Sequence, residues 1–358
     1  MNESELGDQF ASDFASLDTF ANLDVPQLRA EFAHVPANRI DELLCAHYRP
    51  ETRTALSLLA DPLCQSALST GCALIDAFLR GGVRCSLGLT EICGEAGCGK
   101  STFAMRLALM AQLPRACGGL DGAAVYFCTE DFSDRRLRQL QTFVATRYAA
   151  ELGSRTAASL GDRVFVKHVR SLDELWLSLQ QLPLLMRERA VRLVVIDSIA
   201  SLFRCESFTR EQLFERTNFL FSFARHLRAL SEDFHAAVVV TNQVSDVMNE
   251  RATVLDDASA VQAALGPSWS ACVTTRLALR RISGRAVAQS RAGAVVEPKR
   301  SVAVADARAD ADASAAGVDA TRLLSVSLSP ELEAGSEIAV GVDENGLFGV
   351  VHFDGRAR

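Results

Sequence analysis

One octet, Gly-Glu-Ala-Gly-Cys-Gly-Lys-Ser at residues 94–101, constrains this chain more than any other stretch. The apolar segment SLGLTEIC precedes it at 86–93, and TFAMRLALMAQL follows it at 102–113. The first segment predicts a strand, and the second predicts a helix with an apolar face. A strand, a glycine-rich turn and a helix together are the setting of a phosphate-binding loop, whereas a chance glycine turn lacks that setting. We therefore predict an anion site at this turn.

The residues of the octet have separate tasks in such a site. Gly94, Gly97 and Gly99 let the backbone curl so that N–H groups point inwards, and the following helix adds its N-terminal partial charge. Lys100 is one of only three lysines in an arginine-rich chain, and its compact ammonium suits the β- and γ-phosphates of a nucleotide. The Ser101 hydroxyl is then a Mg²⁺ ligand. The predicted nucleotide-binding residues of this loop are Gly94, Glu95, Ala96, Gly97, Cys98, Gly99, Lys100, Ser101 and Thr102.

Composition narrows the class of protein further. The 358 residues are 49% hydrophobic, which is enough for a large core, yet no apolar run reaches the roughly 18 residues of a membrane span. The start, MNESELGDQF, lacks the apolar region of a signal peptide. Ten cysteines without CxxC pairs predict reduced thiols in the cytosol or nucleus. A net charge of −7 means that any nucleic-acid surface must be local.

The chain divides by pattern into two parts. Residues 1–66 predict a small helical N-terminal region and linker, with helical stretches at 25–32 and 38–48. Residues 67–358 alternate strands (123–130, 163–169, 191–200, 235–244) with helices (135–152, 172–189, 210–234), which predicts an α/β fold with a mostly parallel sheet. Antiparallel strands are predicted at 269–281, 321–329 and 336–342, followed by a hairpin turn at 343–346. The Ala/Asp-rich stretch 294–320 predicts a flexible insertion.

Three of the predicted strands end in polar residues. VVIDSIA carries Asp197, which can hold the water shell of Mg²⁺ or can simply be a strand-end acid at a turn. Glu130 in FCTED can polarise an attacking water, or it can be an acid that begins the next helix. VVVTNQV ends on uncharged groups, and an amide such as that of Gln243 suits sensing a γ-phosphate; the alternative is an ordinary polar turn.

The segments STGCALIDAFLRGGV, GEAGCGKS, AVYFCTEDFSDRRLRQL, VVIDSIASLFR, VVVTNQV and ALGPSWSACVTTRL occur in this order. The chain resembles the RecA/RadA superfamily of recombination ATPases over about 69–282 and in its last strands. In the details CTED, FRCE (203–206) and ALG-x-x-W (264–269) it is most similar to the eukaryotic recombinase paralogues, especially the X-ray-repair cross-complementing group. The resemblance implies a RecA-like phosphate-loop NTPase core.

The resemblance also implies site roles for an ATP- and Mg²⁺-dependent enzyme. Glu130 would be the general base, Arg136 would stack on the adenine, and Gln243 would relay the nucleotide state to the loop that follows it. The implied catalytic residues are Lys100, Glu130, Asp197 and Gln243, and the implied metal ligands are Ser101 and Asp197. Two loops at about 204–217 and 245–265 would face DNA, and the candidate DNA contacts in the first are Arg204, Arg210 and Arg216. The alternative for these arginines is a solvated face, because Glu206, Glu211 and Glu215 balance their charge.

Some segments depart from the pattern of that family. The second loop is mainly acidic, which disfavours contact with a phosphate backbone. The linker reads Thr-Arg-Thr-Ala at 52–55, without the aromatic anchor of a Phe-x-x-Ala step, and 328–330 read Leu-Ser-Pro where the family has Asp-Ser-Pro. Both departures favour assembly with related subunits over a long homofilament. A basic cluster (Arg276, Arg280, Arg281, Arg285, Arg291) is a further candidate DNA surface, although half of it should alternate away along a strand.

The leading hypothesis is a nuclear, ATP-binding recombination mediator that hydrolyses ATP slowly in the presence of DNA. Its expected partners are single-stranded or recombination-intermediate DNA and other recombinase or paralogue subunits, with no membrane. The alternatives are a strand-exchange recombinase with its own filament, a non-catalytic scaffold that holds ATP, and a RecA-fold hexameric helicase.

Overall fold

The computed structural model describes residues 54–63, 65–152, 157–205, 213–246, 261–281 and 322–350. The chain forms two compact units, residues 1–60 and 61–358. In the first unit, the described residues form a short helix, α1 (Ala55–Leu59). The predicted helices at 25–32 and 38–48 and the predicted insertion at 294–320 lie outside the described residues. The predicted boundary after residue 66 stays a prediction.

The second unit contains the strands and the remaining helices. The strands are β1 (Ala67–Leu68), β2 (Val83–Arg84), β3 (Leu89–Gly94), β4 (Ala123–Cys128), β5 (Val164–His168), β6 (Val191–Asp197), β7 (Ala237–Asn242), β8 (Val244–Asp246), β9 (Val261–Ala263), β10 (Thr275–Arg281), β11 (Arg322–Leu328), β12 (Glu337–Asp343) and β13 (Gly346–Gly349). The helices are α2 (Ala73–Phe78), α3 (Lys100–Met110), α4 (Asp134–Arg147), α5 (Ala149–Leu152), α6 (Ala157–Gly161), α7 (Leu172–Arg189), α8 (Ile199–Cys205), α9 (Leu213–Asp233) and α10 (Gly266–Ser270), with a 3₁₀ turn at Arg115–Cys117. Within these ranges no helix is long and apolar enough to cross a bilayer.

A sheet of nine described strands organises this unit, in the order β13-β12-β11-β10-β3-β7-β6-β4-β5. In this order, β10, β3, β7, β6, β4 and β5 are each parallel to their neighbours, whereas β10, β11, β12 and β13 pair antiparallel with one another. Every residue of β3, β4 and β7 is buried, as expected for strands covered by helices on both faces. The predicted α/β fold, with a mostly parallel sheet and antiparallel strands near the end, is confirmed.

Helices cover both faces of the sheet, and two apolar clusters fill the space between the layers. One cluster includes Phe103 of α3 and Leu140 of α4, and the other includes Leu179 of α7 and Phe223 of α9. Local capping sets the start of the long helices: the Ser171 hydroxyl accepts a hydrogen bond from the backbone N–H of Glu174 (3.1 Å) and begins α7.

One predicted element is wrong at its start. The alternating segment 269–281 predicts a strand throughout, but the strand begins only at Thr275, and residues 266–270 form the short helix α10. Gly266 has a φ of 78°, and Pro267 follows at the first turn, where its fixed φ favours a helix. The Trp269 side chain is fully buried, so this turn belongs to the core of the unit.

Candidate functional site

The glycine-rich octet lies where the sequence predicts, between the end of β3 and the start of α3. Gly97 has a φ of 69°, and Gly99, the residue before α3, has a φ of 111°. A side chain is disfavoured at both angles. At Gly97 a Cβ atom would also lie 2.5 Å from Nη2 of Arg281. The positive φ angles therefore favour glycine at both positions, and they give the loop its curled backbone.

The Lys100 ammonium lies inside this loop. Its Nζ donates to the backbone oxygens of Gly94 and Glu95, each at 2.8 Å, and the residue is 8% exposed. The Cys98 sulfur lies 3.9 Å from the same Nζ. A buried ammonium held by these neutral groups attracts an anion strongly, because its charge is poorly screened there. The loop and its lysine therefore make an anion site, which is what a polyphosphate requires.

Asp197 ends β6 close to the loop, and each of its carboxylate oxygens accepts a hydroxyl hydrogen bond. Tyr126 of β4 donates to Oδ2 at 2.5 Å, and Thr241 of β7 donates to Oδ1 at 2.5 Å. Burial, followed by the neighbouring Asp197 charge, raises the pKa of Tyr126 well above its usual value, so the phenol stays a donor at neutral pH. Two neighbouring strands thus fix the orientation of this carboxylate.

Asp197 shares a small cavity of about 50 Å³ with the end of the octet. The lining residues are Ser101, Met105, Tyr126, Cys128, Glu130, Asp131, Phe132 and Asp197. The Ser101 hydroxyl and the Asp197 carboxylate are hard oxygen ligands, which fit Mg²⁺ and its water shell. The predicted metal ligands and the predicted base therefore come together in one place.

Glu130 lies at the end of β4, and its Oε1 accepts a hydrogen bond from the Gln243 side-chain amide at 3.3 Å. Thr129 holds this strand end against β6: its backbone N–H donates to the Asp197 carbonyl (2.9 Å), and its hydroxyl accepts from the Ser198 N–H (3.0 Å). The carboxyl ends of β4, β6 and β7 meet at one edge of a parallel sheet, so residues 113 positions apart become neighbours.

A thiol also lines the cavity. The Cys128 sulfur lies 3.3 Å from Nδ1 of His168 at the end of the adjacent strand. Burial raises the pKa of the Cys128 thiol to about 11, which favours the neutral thiol over the nucleophilic thiolate at physiological pH.

Arg136 lies in the first turn of α4 and is bound to the C-terminal hairpin. Its Nη1 donates to the Glu344 carbonyl at 2.9 Å, and its Nη2 donates to the Asp343 carbonyl at 2.5 Å. The hairpin turn itself is as predicted, with Asp343 Oδ1 accepting from the backbone N–H of Asn345 (2.7 Å). The guanidinium plane is thereby fixed, but nothing in the structure tests its stacking on a base.

The candidate DNA contacts are only partly described. Arg204 belongs to α8, but its side chain, like the whole of Arg210, lies outside the described residues. Arg216 lies in α9, where its guanidinium donates to the Leu265 carbonyl (3.4 Å) and lies 5.5 Å from the centre of the Phe203 ring. Most of the second candidate loop is likewise outside the described part of the chain.

The described arginines of the basic cluster lie in different environments. Arg276 binds the buried Glu91, Arg280 approaches Glu337 at 3.4 Å on the surface, and Arg281 donates to the Gly97 carbonyl at 2.9 Å. Arg285 and Arg291 lie outside the described residues. The cluster therefore does not form one basic surface, because Arg276 is directed into the protein.

Sequence reasoning missed Glu91, which lies three residues before the octet. It is completely buried in β3, and its carboxylate accepts from Asn242 (2.6 Å), from the Trp269 indole (2.8 Å) and from Arg276. The signal was an ionisable residue inside an apolar strand, since a buried charge requires a partner.

Comparison with known proteins agrees with this geometry. The Rad51 family model matches residues 65–305. The chain is 37% identical over 232 residues to the DNA repair protein XRCC3 of Bos taurus, which covers 63% of this chain and 67% of that protein. It is 34% identical over 238 residues to the DNA repair protein XRCC3 homolog of Arabidopsis thaliana, which covers 62% of this chain and 77% of that protein. It is also 34% identical over 266 residues to the DNA repair protein RAD51 homolog 2 of Homo sapiens, which covers 67% of this chain and 68% of that protein. The chain therefore belongs to the Rad51 family.

Proposed function

We propose that this protein is an ATP-binding mediator of homologous-recombination repair that works in the nucleus with other recombinase paralogues. The observation that carries the proposal is the convergence of the glycine-rich loop, Lys100, Asp197 and the Glu130–Gln243 pair at one sheet edge. DNA repair proteins named XRCC3 and RAD51 homolog 2 are among its relatives, which supports the pathway and the class of partner.

The proposed mechanism assigns one task to each side chain. The loop amides bind the β- and γ-phosphates, and Lys100 exchanges the Gly94 and Glu95 carbonyls for phosphate oxygens. Ser101 and Asp197 would hold Mg²⁺, which neutralises charge on the phosphates when it is bound. Arg136 would stack on the adenine.

Glu130 is the proposed general base, because its carboxylate lines the same cavity as Ser101 and Asp197. The Gln243 amide donates to Glu130 and so occupies one of the two carboxylate oxygens, which orients the other. A γ-phosphate that attracts Gln243 would loosen this contact, and the loop after β7 would then respond to the nucleotide. That response is the proposed link between ATP and DNA or a partner subunit.

Assembly with related subunits fits the segments where the chain departs from filament-forming relatives. Ala55 begins α1 without an aromatic residue three positions before it. At the other segment the Ser329 hydroxyl accepts from the backbone N–H groups of Glu331 and Leu332, each at 3.2 Å, and no acidic side chain precedes it. Aromatic anchors dominate contacts of this kind, so a homofilament would be weakly joined.

Glu130→Gln is the direct test of the enzyme. It keeps the size of the side chain but removes the base, and we expect ATP turnover with single-stranded DNA to fall by about 10²-fold or more while Mg·ATP still binds. Asp134→Asn, an exposed acid in the first turn of α4, is the matched control. Unchanged turnover in Glu130→Gln would favour a non-catalytic ATP scaffold, and DNA-dependent filaments of the protein alone in electron micrographs would favour a strand-exchange recombinase.

A further inference from the structure

Glu91 is a fully buried carboxylate to which the proposed reaction gives no role. Three donors from three different elements converge on it. Asn242 at the end of β7 donates at 2.6 Å, the Trp269 indole of α10 donates at 2.8 Å, and the Arg276 guanidinium of β10 forms an ion pair with it. Arg276 also donates to the Ser270 hydroxyl at 3.1 Å. We name Glu91, Asn242, Trp269 and Arg276 the Glu91 cluster.

The cluster connects strands that lead to two parts of the proposed site. Glu91 is three residues before Gly94, where the phosphate loop begins, and Asn242 immediately precedes Gln243. Within the sheet, β3 is flanked by β7 on one side and β10 on the other, and Glu91 faces Arg276 in the register of β10. One carboxylate therefore joins the strand that leads into the loop to the strand that ends at Asn242, next to Gln243.

Burial makes these contacts rigid. The side chain of Glu91 is 0% exposed and that of Arg276 is 15% exposed, so neither charge is well solvated. A buried ion pair of this kind rarely adds stability over apolar residues of similar size, but it does fix geometry, because any displacement leaves a charge without its partner.

We infer that Glu91 is a positioning residue for the hydrolytic step: by binding Asn242 it holds Gln243 where its amide reaches Glu130. This inference rests on the proposed ATPase function only for its effect on turnover. Its structural part, that Glu91 fixes the end of β7, can be measured without nucleotide.

The test removes both members of the buried pair at once, in Glu91→Leu/Arg276→Leu, so that no unpaired charge is left in the core. The matched control is Arg280→Leu/Glu337→Leu, an ion pair four residues further along β10 whose Arg280 side chain is 53% exposed. Both double variants lose one acid and one arginine, but only the first disconnects Asn242.

Hydrogen exchange measured by mass spectrometry on the full-length, nucleotide-free protein gives the first result. We expect exchange of the backbone amides of 242–244 to be about tenfold faster in the buried double variant and unchanged in the surface one, since a hydrogen bond to a charged group is lost. Exchange in β4 should not change. Equal exchange of 242–244 in wild type and both variants would overturn the inference.

ATP turnover is the second measurement, and it separates the inference about Glu91 from the proposed ATPase activity. We expect kcat of the buried double variant to fall by about tenfold with the Kd for Mg·ADP within about twofold, and adding Gln243→Ala should cause no further loss, because both changes remove the same contact. Additive losses would mean that the cluster acts elsewhere and would overturn the inference. A wild-type protein without turnover would overturn the ATPase proposal, while the exchange result would still decide the role of Glu91.

Trp269→Phe keeps the experiment decisive if the double variant does not fold. It removes one donor to Glu91 and keeps an aromatic ring in the core. We expect the backbone amides of 242–244 to exchange about threefold faster and kcat to fall by about threefold. The control is Trp176→Phe, which removes the other tryptophan of the chain, and changes of equal size in both variants would contradict the inference.

Discussion

The two sides of the candidate nucleotide site are built differently. The phosphate side consists of residues in the octet, at the end of a parallel strand or just after one: Lys100, Ser101, Glu130, Asp197 and Gln243. Within it, Asp197 and Glu130 accept hydrogen bonds from side chains of neighbouring segments. The other side is where the adenine base of ATP is proposed to bind, and we call it the base side. It consists of Arg136 and the hairpin turn 343–346, where one guanidinium donates to two backbone carbonyls at the surface. Changes on the phosphate side should therefore affect binding of the phosphates and the metal as well as the reaction, whereas changes on the base side should affect only the affinity contributed by the adenine.

The strongest test of this contrast is Lys100→Ala. Removing the buried ammonium should weaken Mg·ATP binding by about 3 kcal/mol, or roughly a hundredfold, because a charged hydrogen-bond donor in a desolvated site is lost. Calorimetric titration with a non-hydrolysable ATP analogue measures the effect, and partner capture should weaken in parallel if assembly depends on nucleotide. Lys167→Ala, an exposed lysine on β5, is the control, and a similar loss in both variants would break the comparison.

A smaller effect is expected for Tyr126→Phe, which removes one hydroxyl from Asp197 without removing the ring. The Mg²⁺-dependent gain in ADP affinity should shrink by about 1–2 kcal/mol, roughly tenfold, because the carboxylate is no longer held in orientation. Affinity measured with EDTA should stay the same. Tyr148→Phe, at the end of α4, controls for loss of a phenol, and an equal change with and without Mg²⁺ would contradict the assigned role.

The smallest effect is expected on the base side, from Arg136→Ala. ATP affinity should fall by about 1 kcal/mol, roughly fivefold, the size of a stacking contribution at an exposed site. Binding of inorganic tripolyphosphate, which has no base, should not change. Arg135→Ala, the exposed neighbour, is the control, and an equal loss for tripolyphosphate would place Arg136 on the phosphate side.

Sequence patterns predict the phosphate side well because each part is local. The octet and the strand and helix on either side of it can be predicted from a window of about thirty residues. Asp197 and Glu130 each follow an apolar run. Parallel pairing then brings strand ends together without further information. The predicted helix at 172–189 is α7 to the residue, since Ser171 and the periodicity mark its limits.

Other features depend on contacts between distant residues and could not be read from local pattern. Glu91 binds donors 151, 178 and 185 positions away, and Arg136 meets carbonyls 207 and 208 positions away. Trp269 misled the prediction, because an aromatic residue in an alternating segment resembles a strand, whereas its tertiary contact with Glu91 places it in a helical turn.

The register of β10 and β11 has a consequence for how this chain can vary. Arg281 and Arg322 face each other in adjacent strands, so the two ends of the intervening segment are neighbours. When a flexible connection joins two neighbouring ends, each doubling of its length adds only about 0.6 kcal/mol to the entropic cost of closing it. A change of length between residues 281 and 322 should therefore cost the sheet little, and an affinity tag or fluorescent domain inserted there should leave the pairing of β10 with β11 intact.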